Sequence, residues 1–393
     1  MKLAFVTSHP IQYQAPLFRE LSRRRGVDFR ALFLHDHGVK PSLDPQFGRV
    51  FSWDVPILDG YEHCFLANVA RRPGFSPFGQ VNPELLSLLW AGEYDAMILH
   101  GYNVVSTMGA AVCPRRRTRV LMRGENHRLE PRSLGKRAIK QVILRAVFSR
   151  VDHFLPIGSL NREYFRAYGV ADSRMTVAPY SVDNEFFAER SRAAREHQGD
   201  VRARFGLPEG IPLFLFAAKL LPKKRPLDLV RAFAEARLSG RAGVVYVGDG
   251  ELAGALTAET ERLGLGASVF RLGFRNQSEM PLLYGACDAL VLPSEIEPWG
   301  LAVNEAMACG AAPIVSHVVG SAQDLVGDPG CVFPPGDVAC LARILAKVVD
   351  EPRWLERLKI DAAERIKEWS IPQTADGCLA GACAALERPP RGW

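Results

Sequence analysis

The sequence predicts an α/β protein made of two Rossmann-like, doubly wound domains facing each other across a cleft. The chain has 393 residues, room for two domains of about 180 residues each. Short apolar runs alternate with longer amphipathic ones throughout, the rhythm of βαβ units on a parallel sheet. That series runs twice, with a break near residue 185.

In the first series, strands are expected at residues 2–7, 27–34, 94–99, 118–122, 152–157 and 174–178. Helical patterns at 16–24, 83–91, 134–148 and 160–168 lie between them. Residues 35–79, rich in Pro, Gly, Asp and aromatics, break the rhythm and read as an irregular insertion beside the cleft. Pro179-Tyr180-Ser181-Val182-Asp183 reads as the exit, and the polar stretch 189–199 as a connector. The second series places strands at 212–217, 243–247, 268–271, 289–292 and 312–315, with helices centred near Phe233, Leu256, Leu283, Met307 and Ile344. Residues 354–386 read as helix, broken around Ser370-Ile371-Pro372. The expected organisation is a domain over 1–185, a second over 186–370, and a C-terminal helix over 371–393 returning to the first.

Composition narrows the function classes. Hydrophobic residues make up 48%, charged residues 23%, and the net charge is only +6, so bulk charge gives no reason to expect a nucleic-acid partner. The runs Arg23-Arg24-Arg25, Arg71-Arg72 and Arg115-Arg116-Arg117 fit solvated surface or an anionic acceptor or membrane. The eight cysteines (64, 113, 287, 309, 331, 340, 378 and 383) show no metal-ligand spacing. No stretch reaches the roughly 18–20 apolar residues of a membrane span. With no signal peptide ahead of the first strand, the expected location is cytoplasmic, at most peripheral at the inner membrane face.

The most informative run is Leu290-Val-Leu-Pro-Ser-Glu-Ile-Glu-Pro-Trp-Gly-Leu-Ala-Val-Asn-Glu-Ala-Met-Ala-Cys-Gly310. A buried-type strand passes through the Pro298-Trp299-Gly300 turn into a helix that Gly310 ends. The amides of Gly300, Leu301 and Ala302 then sit at a helix N-terminus, which favours an anion or an oxygen-rich ligand. Glu305 lies one turn into an otherwise apolar helix. It is either a structural carboxylate satisfied locally or one that accepts hydrogen bonds from a ligand. Glu297 is either a solvated loop residue or its partner in a site.

Ser294-Glu-Ile-Glu-Pro-Trp-Gly-Leu-Ala-Val-Asn-Glu305, with Cys287-Asp288-Ala289 before it and Ala306-Met-Ala-Cys-Gly310 after, resembles the E-x7-E signature of retaining glycosyltransferases of the GT-B fold, family 4. The resemblance is close over about 214–345 and rests on topology in the first domain. It implies that Glu297 lies against the donor hexose and Glu305 binds the nucleotide ribose. Phe216-Ala-Ala-Lys219-Leu-Leu-Pro-Lys-Lys224-Arg225 resembles the family's diphosphate clamp. Lys219 stands where Arg is usual, a point charge in place of a bidentate fork. Cations there would stabilise the departing diphosphate. Gly248 and Gly250, in Val247-Gly-Asp-Gly-Glu251, resemble the Gly-x-Gly turn beside the base and diphosphate. Asp324, after Gly320-Ser321, falls in a looser match that implies no role.

In the first domain, Thr7-Ser8-His9-Pro10-Ile11-Gln12 lacks the G-x-G-x-x-G of a nicotinamide enzyme. Ser8, His9 and Gln12 are candidates for donor or acceptor hydrogen bonds. His100, Arg123 and Glu125 follow buried strands, at the sheet edge where ligands bind. Each of these fits a loop-capping role equally well. The helix after residue 133 carries Lys136, Arg137 and Lys140 beside Ile139, Val142 and Ile143, a pattern of ordinary surface helices and of helices resting on anionic membrane.

The resemblance implies a hexosyltransferase moving sugar from a nucleotide-diphosphate-sugar to a glycan, lipid-linked or small-molecule acceptor, with retention and without metal or other cofactor. Alternatives are an epimerase of the same fold and a non-catalytic nucleotide-sugar binder. The donor base, sugar, acceptor and oligomeric state are not legible.

Overall fold

The computed structural model describes residues 1–39, 42–44, 49–51, 53–115, 117–129 and 134–388, with backbone alone for 42–44, 49–51 and 134–138. Arg116 and the side chains of Lys136 and Arg137 therefore lie outside it. The chain divides into two compact units. The first comprises Met1–Ser42, Phe51–Tyr180 and Ile371–Trp393, and the second Leu43–Val50 with Ser181–Ser370.

The strands are β1 (Lys2–Thr7), β2 (Asp28–Phe33), β3 (Ser42–Asp44), β4 (Arg49–Phe51), β5 (His63–Phe65), β6 (Ala96–His100), β7 (Arg119–Gly124) and β8 (His153–Pro156), followed by β9 (Leu213–Ala217), β10 (Gly243–Val247), β11 (Val269–Gly273), β12 (Ala289–Leu292), β13 (Ala312–Ser316) and β14 (Val332–Phe333). The first unit holds a sheet of order β5-β2-β1-β6-β7-β8 and the second one of order β11-β10-β9-β12-β13-β14. The strand pairs described in both are parallel. A two-stranded ribbon pairs β3 with β4.

Each strand of a doubly wound sheet buries both faces, so alternate residues feed different cores. Ala4, Val6, Met97, Leu99, Val120 and Met122 line one core of the first unit. Leu3, Phe5, Ala96, Ile98 and Leu121 line the other. The second core is closed by the helix Ile371–Leu386 through Ile371, Ala375, Cys378, Ala382 and Ala385. Glycine lets that helix lie close, because a Cβ on Gly381 would stand 2.4 Å from Leu155 Cδ2. The break before it falls at Trp369-Ser370, as the proline suggested.

Three expectations need correction. Residues 174–178 form no strand: after a short turn at Asp172–Arg174, Met175 makes only an isolated bridge with Phe154. Thr176 and Ala178 donate to the carbonyls of Phe154 and Pro156, but Pro156 has no N–H to return to a ladder. Residues 35–79 are not wholly irregular, since β5 pairs with β2 at the sheet edge. The stretch 189–199 is not a loose connector: it falls within the helices Asn184–Glu196 and Gln198–Arg204. The inward positions of the first helix are Phe187, Ser191 and Ala194, and the two of them within 189–199 are too small or polar to show an apolar stripe. Gly285 faces Ser191 and Ala194, where a Cβ would meet both at 3.1–3.2 Å.

Candidate active site

In the second unit the motif residues gather at the carboxyl ends of β9, β10 and β12. Gly248 and Gly250 sit at φ +134° and +152°. A Cβ on Gly248 would stand 2.0 Å from Ala218 O, and one on Gly250 2.7 Å from Leu220 O. The glycines thus let the β10 turn close on the backbone leaving β9, where Leu220 N bonds Asp249 O at 2.9 Å. That closure shapes the segment carrying Lys219, which is half-buried.

Beyond it, Pro222–Lys224 makes one short turn. Glu295 N bonds Lys223 O at 2.8 Å, tying this turn to the loop after β12. Arg225 adopts a left-handed conformation, φ +50°, uncommon for a side chain with a Cβ. It is held by Asp228 at 2.6 Å and Glu295 at 3.3 Å. The Lys224 ammonium meets the Glu297 carboxylate in a nearly buried ion pair.

Gly300 caps the helix Leu301–Ala308 at φ +89°. Helix geometry gives the first-turn amides of Leu301 and Ala302 no upstream carbonyl to bond. The preceding turn is braced from behind. Gly320 N bonds Glu297 O and Ser321 N bonds Trp299 O, each at 3.0 Å. Only glycine fits at 320, where a Cβ would lie 1.9 Å from Pro298 O. The buried Trp299 indole donates to Asn304 Oδ1 at 2.9 Å and stacks on Trp369 with centroids 5.1 Å apart.

Glu305 accepts from Tyr284 Oη at 2.7 Å and from Gln277. Burial pushes its carboxyl up to about 7, against the opposing pull of those hydrogen bonds. A carboxylate this poorly solvated gains most from further donors.

The first unit holds a second polar cluster, at the carboxyl ends of β6 and β7. Tyr180 donates to Glu125 Oε1, and His100 Nε2 lies 3.4 Å from the same oxygen. The buried Arg123 sits 3.4 Å from His100 Nδ1, with its guanidinium 4.7 Å over the Tyr180 ring. Tyr13 packs edge-on against Tyr180. Burial alone would raise the Glu125 carboxyl, but hydrogen bonds from His100 and Tyr180, with the Arg123 charge, hold it below its usual range. His100, Arg123 and Glu125 are therefore brought together, whereas His9 stands apart against His37 and Phe75. Gln12 Oε1 is buried without a protein hydrogen bond.

Sequence reasoning missed Tyr284, Arg225, Gly320, Tyr13 and Tyr180. Gly320 had a local signal in its Gly-Ser pair, and Arg225 had one in the basic motif and in Asp228 three residues on. The tyrosines act through partners remote in sequence.

Two parallel, doubly wound units, one with carboxylates, lysines and a glycine-capped helix at its strand ends, define a GT-B architecture. The profile described as Glycosyl transferases group 1 matches residues 198–366, and that described as Glycosyl transferase 4-like domain matches residues 11–181. The chain belongs to the group 1 glycosyltransferases, of the family 4 type. A D-inositol 3-phosphate glycosyltransferase of Thermomonospora curvata is 33% identical over 56% of this chain and 53% of its own length. A 2-deoxystreptamine glucosyltransferase of Streptomyces kanamyceticus is 34% identical over 47% of each. The chain thus spans about half the length of the curated relatives it matches. Among solved structures, HepE of Anabaena in complex with UDP superposes with a TM-score of 0.70 at 18% identity, covering 97% of this chain and 99% of that one. The glycosyltransferase WaaG gives 0.64 at 16%, covering 96% and 98%.

Proposed function

We propose that the chain transfers a hexose-type sugar from a nucleotide-diphosphate-sugar to a glycan, lipid-linked or small-molecule acceptor, retaining the donor's anomeric configuration. The observation that carries this reading is the pairing of Lys224 with Glu297 at the mouth of the glycine-capped helix. It joins a diphosphate-binding cation to the carboxylate expected beside the hexose. Glu305, partly desolvated, accepts the ribose hydroxyls, and the first-turn amides receive acceptor oxygens of the donor. Solved relatives of this fold are described in complex with UDP and with UDP-glucose, and the curated relatives are named for D-inositol 3-phosphate and 2-deoxystreptamine. A nucleotide-sugar donor and a polyhydroxylated acceptor follow by analogy.

Lys219 and Lys224 neutralise charge that grows on the leaving diphosphate, so turnover proceeds in excess chelator. Attack comes from the face the diphosphate leaves, and the departing phosphate oxygen takes the acceptor proton. His100, Arg123 and Glu125, with His9 and Gln12, serve the acceptor or donor sugar. NMR of the first-formed product tests the stereochemistry: an inverted anomer overturns retention. Activity lost with chelator and restored by magnesium or manganese overturns the lysine clamp.

A peripheral membrane contact belongs to the same reading, at the inner face of a cytoplasmic membrane. Ile139, Val142 and Ile143 are 66%, 71% and 48% exposed on the helix Leu134–Arg150, beside Lys140 and Arg145. Apolar side chains beside cations suit an anionic lipid surface. Equal sedimentation with anionic and neutral vesicles would overturn this part. Among the described residues no helix is long and apolar enough to cross a membrane.

A further inference from the structure

An aromatic side chain stands half in solvent at the carboxyl edge of β1 and β2, on a loop built to hold it still. Phe75 is 54% exposed and Phe78 75%. The loop between them is closed by Gly74 N to Gly79 O at 3.0 Å and Gly79 N to Ser76 O at 2.9 Å. Asn68 clamps its base: Nδ2 donates to Gly79 O at 2.9 Å, while Oδ1 accepts from Val81 N at 2.9 Å and Ala70 N at 3.0 Å. Val105 N bonds Pro77 O at 2.8 Å. These bonds fix the backbone of the loop, and both phenyl rings stand exposed on it.

Three imidazoles surround Phe75. His9 and His37 meet it edge-on, with centroids 4.9 and 5.1 Å away, and His35 lies tilted at 6.0 Å. His9 and His35 each follow a strand end by two residues, β1 at Thr7 and β2 at Phe33. His9 Nδ1 is 2.8 Å from Ser8 Oγ, and His35 Nδ1 accepts from His37 N at 3.0 Å. Burial, then the neighbouring His37 and His35, lowers His9 to about 3. Near neutral pH His9 is therefore an uncharged hydrogen-bonding group beside an apolar ring.

A phenyl surface rimmed by polar imidazole rings is complementary to a cyclic polyol, apolar on its C–H face and hydroxylated at its edge. A lipid tail would desolvate the imidazoles without replacing their hydrogen bonds. We infer that Phe75, framed by His9, His35 and His37, is the stacking platform of an acceptor subsite for a sugar or cyclitol ring. As an acceptor subsite it rests on the transfer reading above; as a polyol site it stands on its own geometry.

The test is saturation-transfer NMR on the full chain, with methyl α-D-glucopyranoside and myo-inositol as probes. The wild type and Phe75→Trp should saturate ring C–H protons of at least one probe. Phe75→Ala should weaken that binding by about tenfold, the size of one aromatic stacking contact, and Phe78→Ala should leave it unchanged. Equal saturation in Phe75→Ala and wild type, or none in wild type with either probe, overturns the subsite. So does binding to phosphatidylglycerol vesicles that falls equally in Phe75→Ala and Phe78→Ala without any probe effect. UDP affinity, read by calorimetry, should be the same in wild type and Phe75→Ala. Phe75-dependent polyol binding in a chain that binds no nucleotide-sugar would keep the site and remove the transfer reading alone.

Discussion

Glu305→Gln separates the stability cost of the buried carboxylate from its use. In the folded chain this carboxyl is raised from 4.5 to about 7, chiefly by burial. A carboxyl with a raised folded value binds its proton more tightly folded than unfolded. Stability therefore falls as pH rises from 4.5 to about 7 and is flat above. At about 1.4 kcal/mol per pH unit, the ionised form costs on the order of 3 kcal/mol at pH 8. Gln keeps the shape and an oxygen for the Tyr284 hydroxyl without that charge. Glu305→Gln should thus gain stability relative to wild type at pH 8 and little at pH 4.5, read by urea denaturation at both. The same charge should serve ligand binding. If Glu305 accepts the ribose hydroxyls, calorimetric affinity for UDP should decline below pH 7 more steeply in wild type than in Glu305→Gln. At pH 8 the variant should bind about 1.5–3 kcal/mol more weakly, the range for hydrogen bonds to a charged group. A stability difference that ignores pH refutes the burial argument, and unchanged UDP affinity removes Glu305 from the site.

Lys224→Ala should lower kcat by on the order of 100-fold, by analogy with losing one preorganised donor. A raised KM with normal kcat would show that Lys224 holds donor without stabilising the leaving group. Gly320→Ala sets a methyl 1.9 Å from Pro298 O, so the turn must move; denaturant unfolding should show a loss of about 3 kcal/mol or more, and a change under about 0.5 kcal/mol would mean the turn yields freely. Trp299→Phe removes the indole donor from the buried Asn304 Oδ1 and should cost about 1–3 kcal/mol. Near-wild-type stability would show that Asn304 finds another donor.

Much of the fold was legible because its causes are local. Strand residues 243–247 and 289–292 and helix residues 83–91 could be placed to the residue, because apolar runs and turn residues act on near neighbours. The helix Asn184–Glu196 escaped because Ser191 and Ala194 form its inward face, and small residues carry little hydrophobic signal. The short β5 escaped because pairing with β2, not its own three residues, makes it a strand.

The sequence by itself determined the two βα series, the glycine-capped helix at Gly300, and the cations and carboxylates around it. Those depend on backbone sterics and periodicity within a few residues. Only the tertiary structure decided which of them meet. Lys224 and Glu297 are 73 residues apart, and Tyr180 and Glu125 are 55. Their contact depends on strand order and on close backbone approaches such as Gly248 on Ala218 and Gly320 on Pro298. Pairing of that kind carries no local signal, because each side chain is ordinary until the sheet brings its partner alongside.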